Sequence, residues 1–172
     1  MDHGLFKSAE NAAQEIKKVA SRIHVLVSDA GVMCIPDRTS IEQGIEAHLA
    51  INYVGHFLLI KLLIEQLISS EASLVQGRVI NVSSSAHTAS PFRFSDPRFI
   101  ESSDLLPNQE HSREPCKVFD IPWETGYSPL MAYAQSKISM ILHAKAISSG
   151  VFEEGITALS LNPGGKCNPP IP

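Results

Sequence analysis

A chain of 172 residues, 44% hydrophobic and 19% charged, has the composition of a globular protein with room for a core, not that of a disordered one. Its 14 basic against 18 acidic side chains leave a net charge of −4, without the basic stripe of a nucleic-acid binder. The most apolar run, Phe57–Ile68, is broken by Lys61 and Glu65 and is shorter than the roughly 20 residues of a membrane span. Cys34, Cys116 and Cys167 are too scattered for a disulfide framework or a zinc site, and Met1–Glu10 has no signal-peptide pattern, so the expectation is one cytoplasmic domain without metal.

Ala9, Ala12, Ala13, Ile16, Val19 and Ala20 recur at helical spacing behind Ser8, which predicts a helix over 8–21 with Ser8 as its N-cap. His24-Val25-Leu26-Val27 reads as a short buried strand that ends in the turn Ser28-Asp29-Ala30-Gly31. Ser40-Ile41-Glu42-Gln43 has the form of a capping box and predicts a long helix to about Ile68. A second strand, 78–82, ends in Ser83-Ser84-Ser85. The 41 residues from Thr88 to Ser128 carry five prolines and little periodicity, which predicts a loop-rich insertion. Ser128-Pro129 opens a third helix to about Ser149, and a third strand, 156–161, stops at Asn162-Pro163-Gly164-Gly165. Helix and strand alternate, with apolar strands buried on both faces, so the expected fold is α/β with a doubly wound parallel sheet.

Such sheets build their sites on the turns that leave the carboxyl ends of the strands. Here those turns are 28–31, 83–85 and 162–164. On the third helix Tyr133 and Lys137 are four apart and share a face. An ammonium beside a phenol favours the phenolate, and moving a tyrosine from about 10 to roughly 7 takes about 4 kcal/mol. The bare spacing occurs by chance in roughly one chain in seven of this composition, and on its own it describes an ordinary helix with a half-buried tyrosine and a solvated lysine.

The combination in one order is more specific: Ser28-Asp29-Ala30-Gly31, Asn52 within Ile51-Asn52-Tyr53-Val54-Gly55-His56-Phe57, Gly77-Arg78-Val79-Ile80-Asn81-Val82-Ser83-Ser84, Tyr133-Ala134-Gln135-Ser136-Lys137, then Asn162-Pro163-Gly164. Over about 2–164 this resembles the short-chain dehydrogenase/reductase superfamily. The runs Ser83–His87 and Tyr133–Lys137 look most like its retinol-dehydrogenase-like branch. The resemblance implies a Rossmann-type fold and an NAD(P)-dependent oxidoreductase that moves a hydride between nicotinamide and a small apolar alcohol or carbonyl. It makes Tyr133 the general acid/base and gives Lys137 the tasks of lowering that phenol's pKa and binding the nicotinamide ribose. Ser84 would hold the substrate oxygen, with Ser83 and Ser85 as rival registers. Asn52 would anchor a water leading from Lys137 to solvent. Ser28, Ala30, Gly31, Pro163 and Gly164 would border the cofactor, and Asp2 would touch the adenine, although it reads equally well as a plain terminal aspartate. Pairing of two copies through the helices near 41–68 and 131–149 is implied as well.

The sequence departs from the family pattern in four places. Asn-Asn-Ala-Gly is replaced by Ser28-Asp29-Ala30-Gly31, and Asn168 stands where a threonine is usual. The family's usual substrate-binding segment does not follow Pro169-Pro170-Ile171-Pro172. No Gly-x-x-x-Gly-x-Gly or Gly-x-Gly-x-x-Gly turn occurs to hold the cofactor pyrophosphate. The expectation is thus a partial doubly wound sheet that lacks the first βαβ unit, its strand 24–27 left with an unpaired edge. The rival reading is a truncated, catalytically silent chain, or a binding partner that does not hold cofactor on its own. No His-x-x-x-His or Gly-x-Ser-x-Gly supports a zinc hydrolase or an α/β-hydrolase. Met131, Met140, Ile141 and Leu142 read as core; Phe119, Trp123 and Tyr127 read as a substrate entrance or a satellite core.

Overall fold

The computed structural model describes residues 1–68, 76–100, 127–150 and 155–164. In chain order they form α1 (Phe6–Val19), β1 (Val25–Ser28), α2 (Ala47–Leu49), a π-helical segment (Ala50–Val54), α3 (Gly55–Leu62) and α4 (Ile64–Leu67). Next come β2 (Gly77–Val82), a 3-10 turn (Ser85–Thr88), α5 (Pro129–Ser148) and β3 (Ile156–Leu161). The part of the expected insertion that spans 101–126, with Cys116, Phe119 and Trp123, lies outside the described residues, as do 165–172, with Cys167 and Asn168.

The sheet is parallel, in the order β1-β2-β3. Leu26 pairs with Val79, and Val79 with Ala158, so these three side chains share one face. On that face Val79, Ile156 and Ala158 pack with Ile60, Leu67, Ala144 and Ile147 from α3, α4 and α5. α1 lies farther out, with Ala13 against Leu59 and Leu63. The parallel order and helical crossovers agree with the expected Rossmann-type sheet. The exposure of its second face differs from expectation. Among the described residues that face is open, with Val25, Val27, Leu159 and Leu161 all exposed, whereas the sequence reads as strands buried on both sides.

Two expected helix starts are corrected. α1 begins at Phe6 with Leu5 as its N-cap, and Ser8 instead accepts a hydrogen bond from the Asp2 N–H at 2.8 Å. The capping box at Ser40 opens no helix. Ser40 bridges Glu46 across a tight turn in which Ile41 bonds Ile45 and Gly44 sits at φ 73°. The helix starts only at Ala47, where the Glu46 carboxylate accepts the N–H groups of His48 and Leu49. Nor is the stretch from Ala47 to Leu67 one continuous helix: a π-helical segment at 50–54 and a break at Leu63 (φ −104°) divide it. α5 begins as expected, the Ser128 hydroxyl accepting the Met131 N–H.

Candidate active site

The turns after β1, β2 and β3 meet α5 around a cavity of about 180 Å³, lined by Asp29, Gly31, Val32, Met33, Val82, Ser83, Tyr133, Lys137 and Pro163. Four of the expected residues, Gly31, Tyr133, Lys137 and Pro163, line this one space. Lys137 is 6% exposed, and its Nζ donates to the Val82 carbonyl at 2.9 Å, 5.7 Å from the centre of the Tyr133 ring. One of three ammonium donors is thereby used. Burial pushes the Lys137 pKa below the ordinary lysine value, and the Asp29 carboxylate acts in the opposite sense.

Asn52 is fully buried in the π-helical segment and holds the site's floor. Its Oδ1 accepts the Val32 N–H at 2.7 Å, and its Nδ2 donates to the Val32 carbonyl and to Ser136 Oγ, both at 2.9 Å. Ser136 Oγ in turn donates to the Tyr133 carbonyl at 2.7 Å. One asparagine thus ties the turn after β1 to the helical turn that carries the tyrosine and lysine. A Cβ at residue 31 would lie 2.7 Å from Asn52 Oδ1, which is why glycine stands there.

The three serines separate by role. Ser83 Oγ is buried and donates to the Lys137 carbonyl at 2.8 Å, so its hydroxyl is committed to fastening β2 to α5. Ser84 Oγ accepts the Ala86 N–H at the head of the 3-10 turn and retains its own proton to donate. Ser85 is exposed. Of the remaining expected residues, Ser28 is buried at the end of β1, and the Ala30 carbonyl accepts from His56 Nε2 at 2.7 Å. Gly164 sits at φ 80°, and none of the described residues comes close to where a Cβ there would stand. Asp2 does not line the cavity: its carboxylate accepts the Gly4 N–H at 2.8 Å, in the turn that leads to α1.

Sequence reasoning singled out Asp29 only as a departure from a motif and Tyr127 only as a substrate entrance or satellite core, and it gave no role to Ser136, His56 or the buried pair Glu46 and His48. Glu46 Oε1 lies 2.7 Å from His48 Nδ1 and 3.1 Å from the Tyr127 hydroxyl. Burial alone would raise the Glu46 pKa, but the hydrogen bonds from the His48 ring and from the Leu49 and His48 backbone outweigh it and hold the carboxyl below its ordinary range. The signal open to a sequence reader was the polar pair itself, Glu46 and His48, inside an otherwise apolar stretch. Tyr127 also packs against a satellite core of Ala89, Phe99, Met131, Ala132 and Ala134.

The residues present suit the nicotinamide–ribose end of a dinucleotide. The cavity is small, is lined by Tyr133 and Lys137, a phenol and an ammonium, and is bordered by Pro163, with no described atom close to where a Cβ at Gly164 would stand. No described group of three or more His, Cys, Asp or Glu side chains could hold a metal ion. No described helix is long and apolar enough to cross a membrane.

A model of the short chain dehydrogenase family matches residues 1–95. The oxidoreductase fscI of Fusarium equiseti is 77% identical over 171 residues, which cover 99% of this chain and 66% of that protein. The short-chain dehydrogenase/reductase prx1 of Penicillium roqueforti is 35% identical over 165 residues, 96% of this chain and 41% of its own. Retinol dehydrogenase 13 of Homo sapiens is 32% identical over 165 residues, 95% of this chain and 41% of its own. The chain therefore spans 41% to 66% of the length of these curated relatives. Among solved structures, an uncharacterised protein from Mycobacterium paratuberculosis aligns with a TM-score of 0.68 at 24% identity, over 95% of this chain and 48% of that one. RhlG of Pseudomonas aeruginosa, solved as an NADP active-site complex, aligns with a TM-score of 0.57 at 20% identity, over 96% and 51%. These likenesses show the fold.

Proposed function

The chain belongs to the short-chain dehydrogenase family, and on that premise we propose that it carries the proton-transfer half of an NAD(P)-dependent oxidoreductase site acting on a small apolar alcohol or carbonyl. The observation that carries this reading is the convergence of Tyr133, Lys137, Pro163 and Gly31 on one cavity at the carboxyl ends of three parallel strands. When bound, the nicotinamide supplies or accepts the hydride. Tyr133 gives its phenolic proton to the carbonyl oxygen in reduction and takes the hydroxyl proton in oxidation. Lys137, held by Val82, keeps a positive charge beside that phenol and has donors left for a ribose hydroxyl. Ser84, which is not among the residues lining the cavity but follows Ser83 there and keeps a proton to donate, is assigned to the substrate oxygen, and Asn52 fixes the geometry through Val32 and Ser136. Ser28, Ala30 and Gly164 border the cofactor in this reading, and Asp2 its adenine. Retinol, for which one relative is named, is an apolar alcohol and is consistent with the substrate class.

Cytoplasmic location, one domain over 1–172 and pairing of two copies through the helices near 41–68 and 131–149 complete the proposal. Cell fractionation and light scattering test the first and the last. A specific observation favours a second reading, a chain that holds no cofactor by itself: its 172 residues contain no glycine-rich turn for the pyrophosphate. Calorimetric titration of the whole chain with NADH and with NADPH decides between the two. Binding that supports Tyr133-dependent reduction of an apolar ketone establishes the first. No binding of either nucleotide at millimolar concentration overturns it in favour of the second.

A further inference from the structure

Both ring nitrogens of His48 are engaged. Its Nε2 accepts the Ile35 N–H at 3.1 Å, so the proton sits on Nδ1, facing Glu46 Oε1 at 2.7 Å. The ring has no nitrogen free to give or take a proton in a reaction. The ring itself, however, stands beside Tyr133: the two ring centres are 6.2 Å apart with an interplanar angle of 68°. That is an edge-to-face contact between a fully buried imidazole and the phenol at the centre of the candidate site.

Glu46 fixes this ring from several sides. Its carboxylate caps α2 through the His48 and Leu49 N–H groups, holds the His48 Nδ1–H, and accepts the hydroxyl of Tyr127. Tyr127 immediately precedes Ser128, the cap of α5, the helix on which Tyr133 lies about one and a half turns farther on. Its ring stands edge-on to Phe99, whose own ring carries the Arg93 guanidinium 4.1 Å from its centre. Three separate segments, the loop at Ile35, the head of α2 and the entry to α5, therefore meet on one carboxylate–imidazole pair beside the tyrosine.

We propose that His48, held in one tautomer and orientation by Glu46 and Tyr127, is a positioning residue for the Tyr133 ring. The carboxylate sets the imidazole, and the imidazole ring, packed crosswise on the phenol, limits its swing toward or away from Lys137. The inference deepens the reading of Tyr133 as acid/base and rests on it for its functional meaning, but its test needs neither cofactor nor substrate. The chain has three tyrosines, Tyr53, Tyr127 and Tyr133, so ring-carbon-labelled tyrosine gives a spectrum that single Tyr→Phe substitutions assign completely.

In His48→Asn, which keeps a donor toward Glu46 but lacks the ring, the Tyr133 signal moves by more than its linewidth while Tyr53 stays in place. Glu46→Gln shifts both Tyr127 and Tyr133. Tyr127→Phe removes a single oxygen, leaves the α2 cap intact, and shifts Tyr133 less than His48→Asn does; it serves if either buried variant fails to fold. A role confined to stability lowers the unfolding midpoint and leaves the Tyr133 signal unmoved. An unmoved Tyr133 signal in folded His48→Asn, or in Tyr127→Phe if the others do not fold, overturns the inference. Failure to bind NADH or NADPH overturns the functional reading and leaves the positioning result standing, so the two failures are distinct.

Discussion

Lys137 is the residue at which function and stability pull in opposite directions. Burial depresses its pKa, so keeping the ammonium charged costs free energy, which one carbonyl and the Asp29 charge offset only in part. Lys137→Met keeps the volume and removes that cost, while the Val82 carbonyl loses a donor worth about 1 kcal/mol. The expected outcome is a urea-unfolding free energy within about 1 kcal/mol of the parent, together with loss of any Tyr133-dependent turnover by roughly 100-fold or more. Two buried histidines dominate the pH dependence, with a smaller contribution of the same sign from the less buried His3. Burial pushes His56 and His143 down to about 4, so the unfolded chain binds more protons than the folded one between about 6.5 and 4. Their stabilising contribution is full above about pH 6.5 and is lost as pH falls, by about 2 kcal/mol for each at pH 5. Glu46 titrates below its ordinary range and adds loss only at still lower pH. Urea midpoints at about pH 7.5 and pH 5 read this slope, and His143→Gln should roughly halve it. A midpoint that does not change between the two values would contradict the assignment.

The strands and α5 were legible as elements because each is a continuous apolar or well-capped run: Val79 and Ala158 sit in the core, and Ser128-Pro129 starts its helix. The stretch from Ser40 to Ile68 was not, for a physical reason. Its apolar periodicity is continuous, but the backbone obeys local polar demands that periodicity does not register. The turn at Gly44 spends Ser40 on a bridge, Glu46 supplies the cap although glutamate is not a favoured N-cap type, and the π-helical segment brings Asn52 to Val32 and Ser136. That Tyr133 and Lys137 share one face of their helix could be read from spacing, while the roles given to them came from the family resemblance. Asn52's use of its side chain and Ser83's commitment to Lys137 could not, because both depend on chain segments distant in sequence meeting in space. Gly77 tests how tightly these elements are set. A Cβ there would lie 2.1 Å from the Leu67 carbonyl, between the end of α4 and the start of β2. Backbone must move to admit it, so Gly77→Ala should destabilise by about 2 kcal/mol, seen as a lowered urea midpoint with unchanged slope. An unchanged midpoint would mean that α4 and β2 are not held at this distance.

At the scale of the molecule the described residues dress one side of the sheet and leave the other bare, and the sequence hides which is which. Val25-Leu26-Val27 and Ile156–Leu161 are apolar toward both faces, so nothing in their alternation marks the side that the described helices leave open. The register resolves it. Val27 pairs with Ile80, and Ile80 with Leu159, so one cross-strand row crosses the open face, with both its outer members, Val27 and Leu159, 54% exposed. Val25 and Leu161 extend the same patch diagonally at 44% and 42%. A contiguous apolar surface on a sheet whose edge strand β1 has no partner on its outer side among the described residues attracts dye, detergent and other chains. The 172-residue chain should therefore enhance the fluorescence of an apolar dye such as anilinonaphthalene sulfonate at neutral pH, and scatter light increasingly with concentration. Val27→Thr with Leu159→Thr keeps β-forming character at the first position and places hydroxyls at the two outer positions of the row. It should lower both signals while leaving the far-ultraviolet circular dichroism unchanged. If the parent chain enhances no dye fluorescence while showing the parallel-sheet and helical dichroism described here, the face is covered in solution, and the bare side of the sheet is wrong.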